Sequence, residues 1–191
     1  IAPFLTGGYA TISLGYIGIY EACRLITGES NTGEHGRVFA MKIMDRLNQA
    51  IYEWRDKHNL GFGLYGTPAE SLTNRFSSLD RARFGIIEDV TDKGYYTNSY
   101  HVSVREEINV FDKFAFESEF QKKSTGGCIS YAEIPNMSNN IPAVLTMIQY
   151  IYNNISYAEF NTKSDYCHEC GFDGEIKVNA DNQWEFPRCH N

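Results

Sequence analysis

A chain of 191 residues with 42% apolar content can bury one ordinary core, or one core and a small appended module. Its 17 basic and 24 acidic residues leave a net charge of -7, which disfavours non-specific binding to nucleic acid. No apolar run approaches the ~18 residues of a membrane span, and no charged segment followed by an apolar one opens the sequence, so the expected location is cytoplasmic.

Strand-like and helix-like segments alternate through most of the chain. The first expected strand is 9–14 (YATISL), followed by a short helix over 16–26. Val38, Met41, Met44, Leu47, Ile51 and Trp54 recur at helical spacing and predict one long amphipathic helix from about Glu34 to His58. A strand at 61–65 (GFGLY) precedes a helix at 68–77, and a strand at 95–104 (YYTNSYHVSV) precedes a helix at 108–122. The strand at 128–134 (CISYAEI), a helix at 141–153 and a strand at 156–160 (SYAEF) complete the series. Repeated βαβ units of this kind imply a parallel sheet of five strands. After Phe160 the composition shifts to polar residues, cysteines and turn formers, which sets a module boundary near Asn161. The tail is too small to bury a core of its own and needs a metal or a host domain.

Five cysteines are an odd number, and three of them fall in the last quarter of a chain without a secretory signal, so metal or redox chemistry is favoured over cystines. Cys167-His168-Glu169-Cys170-Gly171 is a knuckle that aims two thiolates at one cation, and Cys189 follows at the spacing of a zinc ribbon. Tetrahedral zinc takes four ligands, so the fourth is either missing or supplied by a histidine, His168 or His190. A thioredoxin-like redox pair is the rival, weakened because a glycine and a polar hairpin follow where a helix should start. Ile1 in place of an initiator Met, and an end two residues after a cysteine, are what an excised piece would show.

The segment Gly66-Thr67-Pro68-Ala69-Glu70-Ser71 directly follows an expected strand. Thr67 with Glu70 three residues on forms a capping-box pattern, and Pro68 suits a first helical position. Such a helix start is either a plain cap or a phosphate cradle built from N–H groups and the hydroxyls of Thr67 and Ser71; physical chemistry alone favours the cap. His101 is expected in a strand as a satisfied interior residue, and Cys23 and Cys128 are expected as buried apolar thiols. No phosphate loop, dinucleotide fingerprint or nucleophile elbow is present in the sequence.

The stretches 9–21 (YATISLGYIGIYE), 64–76 (LYGTPAESLTNRF), 96–104 (YTNSYHVSV), 126–134 (GGCISYAEI) and 165–174 (DYCHECGFDG), in this order and spacing, resemble the anaerobic, glycyl-radical ribonucleoside-triphosphate reductases. The resemblance implies one half of a ten-stranded α/β barrel over 1–160 and a zinc ribbon over 161–191, truncated before its fourth cysteine. It implies replacement of the ribose 2′-hydroxyl by hydrogen through glycyl and thiyl radical chemistry, with formate as reductant, an iron–sulfur S-adenosylmethionine activase as partner, and a homodimeric complete enzyme. On this reading Cys167, Cys170 and Cys189 hold structural zinc, and the turn carrying Thr67, Ala69 and Ser71 meets the substrate phosphates. The radical cysteine and the glycyl-radical segment have no counterpart here, so the chain by itself is expected to be inactive. The alternative is a non-catalytic zinc-ribbon module that docks another protein; it requires exposed basic or aromatic residues around the ribbon, where Lys163, Lys177 and Arg188 are the only basic residues after Phe160. A pyruvate formate-lyase type of radical enzyme is disfavoured by the ribbon.

Overall fold

The structure, a computed structural model, describes residues 2–162, 165–179 and 183–189. After a short 3-10 turn, β1 (Thr11–Gly15) leads into α1 (Ile19–Thr27), α2 (Glu34–His58) and β2 (Gly61–Gly66). Then come α3 (Ser71–Phe84), α4 (Val110–Gln121), β3 (Gly127–Cys128), β4 (Ser130–Ile134), α5 (Ile141–Asn154) and β5 (Ala158–Thr162). The strands are parallel: β1 pairs with β2 from Thr11↔Gly61 to Gly15↔Tyr65, β2 with β3 at Tyr65↔Gly127, and β4 with β5 from Ser130↔Ala158 to Ile134↔Thr162. The Ile129 N–H donates to the Gly66 carbonyl at 3.4 Å, so β3 and β4 are one strand with a break. Gly63 and Gly126 make this packing possible, since a Cβ on Gly63 would stand 2.7 Å from the Gly126 Cα.

Helix α2 has the expected bounds, but its buried stripe is rotated from the expected one. Gly36, Ala40, Met44 and Ile51 are buried, whereas Val38 and Trp54 are exposed. Small residues at 36 and 40 let α1 approach closely, and the Cys23 thiol donates to the Gly36 carbonyl at 3.3 Å. Met44, Ile51, Leu64, Tyr100 and Phe120 centre the main core; Phe114, Ala132, Ile134 and Met147 form a second core under α4 and α5. Both helices are fixed by asparagine caps: Asn109 accepts from the N–H groups of Phe111 and Asp112, and Asn140 from Ala143.

The expected strand at 95–104 does not form. Ser99, Tyr100, His101, Val102 and Ser103 are buried consecutively, so the segment runs through the interior instead of lying half-exposed on a sheet. Side chains and the backbone just past β1 take its backbone groups in place of a neighbouring strand. Asn31 Nδ2 donates to the carbonyls of Tyr100 and His101, Glu117 Oε1 accepts from the Val102 N–H, and the Gly18 N–H donates to the Thr97 carbonyl. The parallel set therefore has four members among the described residues, counting β3 and β4 as one. His101 is held with one ring nitrogen against the Asn98 carbonyl and the other against the Ile129 carbonyl. Its ring stacks between Tyr100 (4.8 Å) and Tyr131 (5.9 Å), and Phe120 (5.8 Å from Tyr100) extends the column. It is the interior residue expected, but it lies in a loop.

Past Thr162 the chain forms two small antiparallel pairs, β6 (Asp165–Tyr166) with β7 (Asp173–Gly174) and β8 (Lys177–Val178) with β9 (Trp184–Glu185). No helix among the described residues is long and apolar enough to cross a membrane.

Candidate nucleotide cleft and cysteine site

Because β1 and β2 are parallel, their C-terminal ends open side by side, and the chain leaving them walls a cleft of about 770 Å³. Gly15, Tyr16 and Ile17 line it from β1, and Tyr65 with the turn from Thr67 to Leu72 lines it from β2. Phe76, Asp80 and Tyr96 close the far side. Beneath it, the Tyr16 hydroxyl pairs with Ser124 Oγ at 2.8 Å, and burial pushes the Tyr16 phenol far above its ordinary range. Gly66 leaves room for this pair, since a Cβ there would lie 2.8 Å from the Tyr16 hydroxyl and 2.7 Å from Tyr100 Cε1. Tyr96 donates to Asp80 Oδ2 at 2.8 Å, and burial followed by that carboxylate raises its pKa as well.

The capping box expected at Thr67 and Glu70 is absent. Helix α3 begins at Ser71, its N-cap is Glu70 at φ 47 and ψ -124, and no side chain caps it. Tertiary hydrogen bonds displace the local cap: the Ala69 N–H donates to Asn98 Oδ1 at 2.9 Å, and Ser99 Oγ donates to the Thr67 carbonyl at 2.9 Å. The chain from Thr67 to Glu70 is thereby held out of the helix. The N–H groups of Glu70 and Ser71, and the hydroxyls of Thr67 and Ser71, have no protein partner among the described residues. Of the three residues expected at phosphates, Thr67 and Ser71 line the cleft with polar groups available, whereas the Ala69 N–H is taken by Asn98.

Sequence reasoning missed the network behind this turn. Lys93 Nζ lies 2.5 Å from Glu21 Oε1 with both side chains buried, and sits 4.3 Å from the centre of the Tyr20 ring. Glu21 Oε1 also accepts from the Thr97 N–H and hydroxyl, each at 2.8 Å. A glutamate in a short helix and a lysine in a loop carry no local signal of pairing. The positions are 72 residues apart.

In the tail, the Cys167, Cys170 and Cys189 sulfurs all lie within 4.8 Å of one another, with Cys167 and Cys189 at 3.6 Å. Zn–S bonds of about 2.3 Å in a tetrahedron place sulfurs roughly 3.8 Å apart, so the three thiols fit that ion. The knuckle is built by backbone bonds. The Cys167 N–H donates to the Phe172 carbonyl, the Gly171 N–H returns to the Cys167 carbonyl, and Gly171 takes the φ of +66° that the turn requires. Hydrogen bonds from the Cys170 and Glu169 backbone hold the Cys167 thiol below its ordinary pKa, the direction a metal ligand needs. Phe172 and Phe186 pack edge to face at 6.1 Å behind the cysteines. His168 is exposed against Tyr166 and is not one of the group; His190 lies outside the described residues.

The other two cysteines are not poised for chemistry. Burial pushes the Cys23 thiol up to about 11 and raises that of Cys128.

A family model described as anaerobic ribonucleoside-triphosphate reductase matches residues 1–191. The chain is 40% identical over 193 residues to the anaerobic ribonucleoside-triphosphate reductases of Salmonella typhimurium and Escherichia coli, covering 100% of this chain and 27% of each relative. It is 38% identical over 176 residues to that of Enterobacteria phage T4, covering 92% of this chain and 28% of the relative. Among solved structures, an anaerobic ribonucleotide reductase superposes with a TM-score of 0.70 at 22% identity, over 87% of this chain and 28% of that one. The Thermotoga maritima anaerobic ribonucleotide reductase in complex with dATP and CTP gives 0.69 at 22% identity, over 87% and 29%. At that identity the superposition supports the fold. The chain spans little more than a quarter of the length of the curated relatives it matches. It belongs to the anaerobic ribonucleoside-triphosphate reductase family.

Proposed function

We propose that this chain forms part of the machinery that reduces ribonucleoside triphosphates to deoxyribonucleoside triphosphates, with 1–160 as one half of an α/β barrel and 161–191 as a zinc ribbon. The observation that carries the reading is the cleft at the ends of β1 and β2, where two hydroxyls and two backbone N–H groups at the start of α3 have no protein partner among the described residues. Those groups and the positive end of the helix suit the phosphates of the substrate. Tyr65, Phe76 and Tyr96 supply aromatic surface for the rest of a nucleotide, and Ala69 contributes shape while its N–H belongs to Asn98. In the complete enzyme a glycyl radical would supply the unpaired electron, generated by an iron–sulfur S-adenosylmethionine activase, with formate as electron donor and a homodimer as the assembly. In the tail, Cys167, Cys170 and Cys189 would hold zinc; the ion would supply the cohesion that the small core around Phe172 and Phe186 cannot.

The exposed Tyr166 and Trp184 give the ribbon some of the surface that a docking module needs. Of its basic residues, Arg188 is turned back onto the Cys170 carbonyl at 3.1 Å. The family assignment makes the enzyme the leading reading.

The test is the Ser71→Ala variant of the complete enzyme. Loss of one hydroxyl contact should raise KM for the triphosphate by roughly fivefold, about 1 kcal/mol, with the fold intact. An unchanged KM removes the phosphate reading.

A further inference from the structure

Behind the cleft, three consecutive residues of the buried loop grip both strand ends. The Thr97 carbonyl accepts from the Gly18 N–H at 2.9 Å, just past β1. Beyond β2, Asn98 Oδ1 accepts from the Ala69 N–H at 2.9 Å and Ser99 Oγ donates to the Thr67 carbonyl at 2.9 Å. These last two bonds seize the turn at one donor and one acceptor, two residues apart, and fix its orientation. Between Ala69 and Ser71 stands Glu70, a non-glycine residue at φ 47 and ψ -124, a conformation that persists only where its surroundings impose it. Ser99 is itself at φ 42 and fully buried. The loop in turn is anchored at Thr97, whose N–H and hydroxyl both bond Glu21 Oε1, the carboxylate paired with buried Lys93.

We infer that Asn98, with Ser99, is the positioning residue of the Thr67–Ser71 turn: by holding the Ala69 N–H it turns the Glu70 and Ser71 N–H groups and the Ser71 hydroxyl toward the cleft as an anion site. The inference rests on the phosphate reading above. It assigns Asn98 no contact with substrate. Its Oδ1 is engaged by the backbone, and an amide serves here where a carboxylate would add a negative charge beside the phosphates. The Glu21–Lys93 pair acts one step further back, by holding Thr97.

The complete enzyme tests this with two readouts, hydrogen exchange of the 66–72 segment and the kinetics of ribonucleoside triphosphate reduction. In Asn98→Ala the Ala69 amide should lose protection and KM should rise about tenfold with kcat changed by less than about twofold, the signature of lost ground-state positioning. Asn98→Asp retains the acceptor and should restore the protection of that amide; Ser99→Ala, which frees the other side of the turn, should reproduce the rise in KM. Wild-type exchange at Ala69 in Asn98→Ala overturns the inference. So does a loosened amide with an unchanged KM when Ser71→Ala raises KM, an outcome that leaves the phosphate reading standing. If neither variant moves KM, the phosphate reading itself has failed, and the inference with it.

Discussion

Glu70 offers the sharpest test of how α3 begins. At φ 47 and ψ -124 it occupies a region that side-chain-bearing residues enter at a cost of about 1–3 kcal/mol. Glycine enters that region freely, but its extra freedom in the unfolded chain offsets about 0.5–1 kcal/mol of the gain. Removing the carboxylate from the helix N-terminus forfeits at most a few tenths of a kcal/mol, because the side chain is exposed. Glu70→Gly should therefore stabilise the region by up to about 2 kcal/mol. Glu70→Ala keeps the strained backbone and gains nothing. Relative to each other, the glycine variant should exceed the alanine variant by about 1 kcal/mol. A working capping box demands the reverse: both variants would lose about 0.5–2 kcal/mol, and glycine would be no better than alanine. Hydrogen exchange of the first-turn amides of α3 in the intact polypeptide measures the difference locally, without assuming that a large protein unfolds in one step. Equal protection in the two variants, or less in the glycine variant, would refute the assignment of strain to Glu70.

Breaking the buried Glu21–Lys93 pair by Lys93→Met should cost about 3–5 kcal/mol, because it leaves a carboxylate buried without its cation; adding Glu21→Gln should recover most of that loss in urea midpoints. Gly66→Ala drives a methyl group against Tyr16 and Tyr100 and should lower stability by about 1–3 kcal/mol, read as a drop in thermal midpoint. Zinc should be measurable in the complete enzyme by elemental analysis, fall by more than about half on Cys170→Ser, and be released to a chromophoric chelator increasingly as pH drops. The sign follows from Cys167: its thiol pKa is lowered in the folded knuckle, so the thiolate's contribution is fully present above the ordinary thiol range and is lost as pH falls through the folded value.

Long-period patterns carried most of the legible fold. The helix Glu34–His58 was given by its apolar spacing, and four of the five expected strands form with shifts of a residue or two. The segment 95–104 misled because tyrosine and valine favour strands, while polar partners that make it a buried loop, Asn31 and Glu117 among them, come from a distant turn and a distant helix. The Thr67–Glu70 pattern misled for the opposite reason. A cap is worth about 1 kcal/mol, and two tertiary hydrogen bonds with a packed loop outweigh it. Cysteine spacing fared better because covalent geometry limits how a two-residue gap can aim its thiols. Asn98 was visible only as one polar residue in a run of several, and its role depends on a contact 29 residues away.

The column of Phe120, Tyr100, His101 and Tyr131 has a consequence for spectroscopy. With the Tyr100 ring 4.8 Å from the imidazole and 9° from parallel, and the Tyr131 ring stacked at 5.9 Å, the imidazole carbon protons should feel the ring currents of two phenols. Their resonances should be displaced upfield, away from those of the chain's surface histidines, and should move whenever the loop bearing Asn98 shifts against β4. The same residue that stiffens the interior thus doubles as a built-in reporter on the loop behind the cleft, readable without adding a probe.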